Sequence, residues 1–246
     1  MQEVLTRTPV VRTNVQTSRF SGADWATENH NIIIGGAGSI GSWTALLLSK
    51  TNHSSNIEVW DDDSIEEVNL AGQFYPIDDI GTQKVVSLHN SIYNYSGKGI
   101  NIMSARITDN QPYGNFDVFV SAFDNMSARK IFFEKFKNTQ LRKSPFERNR
   151  SIFIDGRLNA EQFQVFFVTP DKYDLYQAHL FDDSEVEDLP CSYKYTTHTA
   201  CMIASVIVNG YTNWASNIKY NMPDYRELPF KVTYDLSLML FEKCTQ

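Results

Sequence analysis

The chain has little cysteine. Cys191, Cys201 and Cys244 are odd in number, widely spaced and form no C-x-x-C pair, which argues against a disulfide framework or a four-cysteine zinc site. No apolar run approaches the roughly 20 residues that span a bilayer, and residues 1–20 lack the continuous apolar core of a signal peptide. Positive charge is short as well. With 22 Lys and Arg against 29 Asp and Glu the formal net charge is −7, so a phosphate backbone would meet a repulsive mean field unless a local basic patch overcame it. Nucleic acid and membrane are therefore not expected partners. Internal repeats and low-complexity tracts are missing too, and a reducing, cytoplasmic setting is the default expectation.

What remains is an ordinary globular composition, 42% hydrophobic and 21% charged over 246 residues. That length suits one large domain or a domain with a modest insertion. Residues 1–30 are polar without clear periodicity and read as an N-terminal arm or helix. From Asn31 the pattern gives a strand (NIII), a glycine turn, a helix from about Ser39 to Lys50 and a strand at Ile57 to Trp60. That βαβ order predicts a parallel sheet covered on both faces.

A helix is expected over about Thr82 to Tyr93, strands in NIMSARI and DVFVSAF, and a helix in SARKIFFEKFKN with Ile131, Phe132 and Phe136 near one side. NTQLRKSPFERNR reads as a surface loop, SIFID and EQFQVFFVT as antiparallel neighbours, and FDDSEVEDLP as an acidic connection. TACMIASVIVNGYTNW is apolar nearly all round and reads as a buried helix. The fold class expected is α/β: a Rossmann-like sheet with a parallel nucleotide-binding half, antiparallel C-terminal strands and helices on both faces.

Gly36, Gly38 and Gly41 form G-x-G-x-x-G between that first strand and helix, with Ala37 inside the turn. The first glycine permits the turn, the second lets backbone approach phosphate, and the third lets helix and strand pack closely. Phosphate then meets free amides and the positive end of a helix. Twenty residues beyond Gly41, after IEVW, stands Asp61. A carboxylate there accepts from ribose hydroxyls and favours an adenosine with a free 2′-hydroxyl. These features suit NAD and ATP equally.

The next stretch, WDDDSIEEVNLAGQFYPIDDIGTQK, separates the two. A dehydrogenase needs one ribose contact, whereas here Asp61 and Asp63 are followed by Asn69, Gln73 and Lys84. Asn69 can hold a phosphate oxygen or orient the strand-end loop. Lys84, at the start of a helix, is a point charge suited to a triphosphate.

With those residues in place the sequence resembles the ThiF/MoeB/HesA family, the ubiquitin-activating-enzyme-like adenylyltransferases, over roughly residues 17–215. The family's glycine turn, D-x-D, S-N-L-x-R-Q and glycine-lysine elements correspond to GGAGSIG, DDD, VNLAGQ and IGTQK, and a later aspartate element to SAFDNMSAR, with Asp124, Asn125 and Arg129. The resemblance implies a ThiF-type ATP-binding domain over residues 31–246 with a crossover loop at about 171–198. It also implies ATP-dependent adenylylation of the C-terminal carboxylate of a small ubiquitin-like or sulfur-carrier protein ending in glycine.

On that reading Asp124 holds Mg²⁺, Lys84 draws on the phosphates, Asp61 fixes the ribose, the amides around Gly36, Ala37, Gly38 and Gly41 seat the nucleotide, and Asp63, Asn69, Gln73 and Asn125 complete the pocket. A homodimer is implied, in which Arg19 acts on the partner's site. No zinc is expected, since the family's two C-x-x-C pairs are missing. The segment around Cys191, with His198 seven residues on, resembles the one in which several members place a thioester-forming cysteine, while other relatives keep a cysteine there with a different carrier chemistry or none.

One departure weakens the match: the family arginine of S-N-L-x-R-Q is Gly72 here. Arg19 in trans and Arg157, just after a strand, are the candidate replacements, and Arg157 can alternatively guide an incoming tail. Plainer readings compete residue by residue. Asp124 can cap a helix, Lys84 can be a solvated helix charge, Arg157 can form an ordinary salt bridge, the acids at 182–188 can be a solvated connection, and Cys201 can be a small core residue. Two other functions remain open: an NAD(P)-dependent oxidoreductase, which leaves NLAGQ, Lys84 and Asp124 unexplained, and a non-catalytic relative that binds a partner protein, which Gly72 suggests.

Overall fold

The aliphatic stretch NIIIG forms strand β1 (Asn31–Gly35), whose three isoleucines are wholly buried. A strand covered on both faces needs such a run. The structure, a computed structural model, describes residues 20, 22–26, 28–51, 55–108, 114–159, 161–183 and 197–245. β1 is flanked in parallel by β2 (Asn56–Trp60), with Ile32 opposite Ile57, and by β4 (Val118–Ser121), with Ile32 opposite Val118. β3 (Asn101–Met103) extends the sheet past β2, and β5 (Ile152–Asn159) extends it past β4.

The chain then reverses. β6 (Gln162–Val168), β7 (Lys231–Asp235) and β8 (Leu240–Cys244) continue the sheet antiparallel, in the order β3-β2-β1-β4-β5-β6-β7-β8. Both the parallel half and the antiparallel half are those the sequence led us to expect. The β7–β8 hairpin has no counterpart in the sequence reading, because LSLMLFEKC follows no clean alternation and β8 is exposed along its whole length.

Alternation on β1 assigns the two faces. Ile32 and Ile34 pack with α1 (Ser39–Thr51), α2 (Lys84–Ser96) and α6 (Thr197–Tyr220). Ile33 faces a second cluster built by α3 (Met126–Leu141) and α5 (Tyr173–Gln177). That cluster is aromatic: Phe132, Phe133 and Phe136 meet Phe119, Phe153 and Tyr176, with Phe133 edge-on to Tyr176 at 4.6 Å. Each such burial stabilises by about 2–3 kcal/mol. Among the described residues no helix is long and apolar enough to cross a membrane.

One expectation is corrected. NTQLRKSPFERNR is not a loop, since α3 runs on to Leu141 and α4 (Pro145–Arg148) follows. Ser144 starts α4 as a capping box: its Oγ accepts from Glu147 N at 3.3 Å while its own N donates to Glu147 Oε2 at 3.0 Å. The S-x-x-E spacing with proline at the first helical position carried that signal.

The end of the sheet before β1 holds a buried polar cluster. His30 is 5% exposed, its Nδ1 lies 3.0 Å from Tyr211 Oη, and Ser55 Oγ lies 3.1 Å from the same oxygen. Burial pushes the imidazole down to about 4. The unfolded chain therefore takes up a proton near pH 6.5 that the folded chain refuses until about pH 4. Stability from this group is complete above pH 6.5 and is lost as pH falls through that window, by up to about 3 kcal/mol. Urea unfolding between pH 4 and 7 should show this slope, and His30→Asn should flatten it.

Candidate functional site

β1 sends the chain to β2 on one side, while β4 lies on the other, so the C-terminal ends of β1 and β4 part around a crevice. The glycine turn leaves β1 there. Gly36 has φ +95°, a left-handed conformation that disfavours any side chain, and an added Cβ would lie 2.8 Å from Ala122 O. At Gly41 an added Cβ would sit 1.9 Å from Gly36 O, so the first turn of α1 rests directly on the strand exit. Gly38 differs: nothing lies within 4 Å of its missing Cβ, and it lines the crevice.

These environments predict opposite results. Gly41→Ala should destabilise by about 3 kcal/mol through overpacking. Gly38→Ala should leave stability within about 0.5 kcal/mol, and if the crevice seats a nucleotide phosphate, as the glycine turn leads one to expect, it should weaken that binding about tenfold or more. Thermal unfolding with ATP titration of both variants checks this.

Asp61 follows β2 and is locked onto the turn. Its Oδ2 accepts from Ala37 N at 2.7 Å and its Oδ1 from Asp63 N at 2.9 Å. Burial raises the carboxyl above its usual range, opposed by those two amides and by Lys84. Each oxygen keeps acceptor capacity for a ligand hydroxyl. Tyr75 Oη donates to Ala37 O at 2.6 Å, and Trp43 Nε1 donates to Gly72 O at 3.0 Å, fastening the segment after Asn69 to the turn and to α1.

Lys84 is not a solvated helix charge. Its side chain is 8% exposed, and its Nζ lies 2.8 Å from Asp63 Oδ2. Asn69 turns its Oδ1 to Glu66 N at 2.8 Å, orienting the strand-end loop. Gln73 Oε1 is buried with no hydrogen-bond partner among the described residues.

Asp124 follows β4 and is exposed. It does not cap α3. Asn125 does, accepting from Ala128 N at 2.8 Å, while Asp183 accepts from Met126 N at 2.5 Å and Ser127 N at 3.1 Å. Asp124 Oδ1 accepts from Asn125 Nδ2 at 3.0 Å.

One cavity of about 1150 Å³ brings these groups together. Gly36, Gly38, Asp61, Asp63, Asn69, Gln73 and Lys84 line it together with Asp124, Asn125 and Arg157. Ala37 and Gly41 lie behind the wall as backbone support. Among the described residues, no three His, Cys, Asp or Glu converge as a self-sufficient metal site. Cys191 and Arg19 lie outside the described residues.

Residues 16–244 match the sequence profile of the ThiF family. The chain belongs to the ThiF family. No curated protein sequence matches it. Among solved structures this ThiF-family chain is similar to E. coli MccB with ATP, at TM-score 0.64 and 14% identity, covering 90% of this chain and 64% of MccB. It is similar to PaaA at 0.65 and 14%, covering 97% and 86%. It is similar also to E. coli tRNA N6-threonylcarbamoyladenosine dehydratase, TcdA, at 0.62 and 14%, covering 87% and 100%. Likeness at that identity is likeness of fold.

Several residues at or beside this cavity carried little signal in the sequence. Arg157 was singled out, but its partners were not: Nε donates to Asp155 Oδ2 at 2.7 Å, Nη1 to His179 O at 2.9 Å, and Nη2 lies 3.4 Å from Tyr176 Oη. Asp155, in the otherwise apolar SIFID, was the available signal, since a buried strand carboxylate requires cations on its own face. Arg106, paired with Asp62 at 3.2 Å on the cavity rim, carried no signal beyond its charge.

Proposed function

We propose that this ThiF-family chain transfers AMP from ATP to the terminal carboxylate of a small ubiquitin-like or sulfur-carrier protein. The observation that carries the reading is the single cavity holding Gly38, Asp61, Lys84 and Asp124. The chain spans 64% of MccB, which has been solved with ATP and with AMPCPP plus MccA. That a protein of this fold takes ATP supports the nucleotide reading.

The residues fit the nucleotide. Gly38 leaves its open side to phosphate, Asp61 presents a held carboxylate to ribose, and Gln73 Oε1 is an orphaned acceptor in the wall. When bound, Mg-ATP supplies an α-phosphorus to which a carboxylate oxygen bonds as the bond to pyrophosphate breaks, the ion spreading the phosphate charge. Asp124 would hold the ion, sharing it with phosphate and water oxygens as magnesium prefers. Lys84 draws on the phosphates with a charge that burial keeps from being screened. Asn69 and Asp63 hold the strand-end loop and the lysine in place.

The Gly72 position leaves one cation to be supplied elsewhere. Arg157 is committed to Asp155, His179 and Tyr176, and in this account it shapes the wall against which the carboxylate tail rests. The family resemblance points to a homodimer in which Arg19 acts on the partner's site, and Cys191 is the candidate acceptor if a thioester forms.

Pyrophosphate exchange into ATP, measured with partner tails that end in free or amidated glycine and paired with NADH fluorescence titration, tests the proposal. Exchange that requires the free carboxylate is expected. NADH saturation without exchange would favour the oxidoreductase, and neither signal the non-catalytic relative.

A further inference from the structure

Beneath the Asp124 loop lies an acid that nucleotide binding does not explain. Asp155 is 0% exposed and stands opposite Ser121 in the β4–β5 register. Burial works against its charge, but Arg129 and Arg157 outweigh that and hold the carboxyl below its usual range.

Its two oxygens serve two arms. Oδ1 pairs with Arg129 Nη1, which also donates to Gly156 O at 2.9 Å, while Arg129 Nη2 donates to the carbonyl of Phe123, the residue before Asp124. Oδ2 accepts from Arg157 Nε at 2.7 Å and from Tyr176 Oη at 2.9 Å. Arg157 passes that arm on to the His179 carbonyl, four residues before Asp183. Asp183 returns to α3 through the amides of Met126 and Ser127.

The contacts thus close a ring around the base of the Asp124 loop. Asp124 itself has only Asn125 as a hydrogen-bond partner among the described residues, so its place is inherited from the loop. We propose that Asp155 is a positioning residue: through Arg129 it sets the loop that carries Asp124, and through Arg157 and Tyr176 it couples that loop to the 179–183 segment on the cavity rim. The coupling does not depend on which ligand fills the cavity; the consequence for metal use rests on the adenylylation reading.

Asp155→Asn leaves two buried guanidiniums facing one neutral amide and is prone to unfold, so two milder variants carry the test. Tyr176→Phe deletes one hydroxyl and keeps the ring packing. Arg129→Lys keeps the charge and loses the fork that reaches Asp155 and Phe123 together. Hydrogen exchange of the full chain is measured by mass spectrometry.

Tyr176→Phe should speed exchange in peptides covering 122–128 at least fivefold, and Arg129→Lys should do so in peptides covering 176–183, with β1 and β2 unchanged. If each variant loosens only its own side, the coupling is wrong. In the same proteins, Arg129→Lys should raise the Mg²⁺ concentration for half-maximal exchange at least fivefold and shift metal-free ATP affinity less than twofold. An equal effect on both, or none, would remove Asp155 from the positioning role. A wild-type chain that binds no ATP would instead overturn the nucleotide reading, and the hydrogen-exchange result would still decide the coupling.

Discussion

Asp124→Ala is expected to lower pyrophosphate exchange by about a thousandfold, the scale of losing a charge-stabilising group aimed at a reacting centre. The fold should hardly notice. Asp124 is exposed, and the free amides at the start of α3 are satisfied by Asn125 and Asp183, so its removal strips no cap. Stability should stay within about 0.5 kcal/mol of the parent. Asp124→Asn keeps the shape and loses the charge, so it should lose nearly as much exchange. If either variant keeps near-parental rates at saturating Mg²⁺, Asp124 does not hold the metal.

Lys84→Met should weaken ATP binding by about 100-fold, the equivalent of about 2.7 kcal/mol for a charge-assisted contact in a screened-off wall. The lost ion pair costs the fold little. Asp63 is 60% exposed and returns to water, so the change in stability should be under about 1 kcal/mol. The reverse substitution behaves differently, because Asp63→Ala leaves a buried ammonium without its carboxylate and should destabilise more than Lys84→Met. Isothermal titration with ATP beside thermal unfolding separates the two effects. An unchanged ATP affinity in Lys84→Met would assign the lysine to structure alone.

Much of the architecture was legible because each signal was local. NIII followed by three glycines can be little other than a buried strand turning into a helix, and the strand-end acids and Lys84 fell on one cavity because their elements point to one switch point. Asp155 was not legible in the same way. Its partners are 26 residues upstream in Arg129 and 21 downstream in Tyr176, and no period links α3, β5 and α5. Asp183 was read as part of a solvated acidic connection, whereas it completes the first turn of α3 from 57 residues away. The extension of α3 past Asn138 to Leu141 was hidden because Arg142 and Lys143, just beyond its end, give the stretch a loop-like composition.

The roles assigned to Gly38, Asp61, Lys84 and Asp124 all require one ligand in one place. A crystal structure of the chain with Mg²⁺ and a non-hydrolysable ATP analogue tests this most directly. The account predicts the ribose hydroxyls on Asp61, the phosphates between Gly38 and Lys84, and the metal on Asp124. A nucleotide bound elsewhere, or a metal with Asp124 outside its coordination sphere, would contradict it.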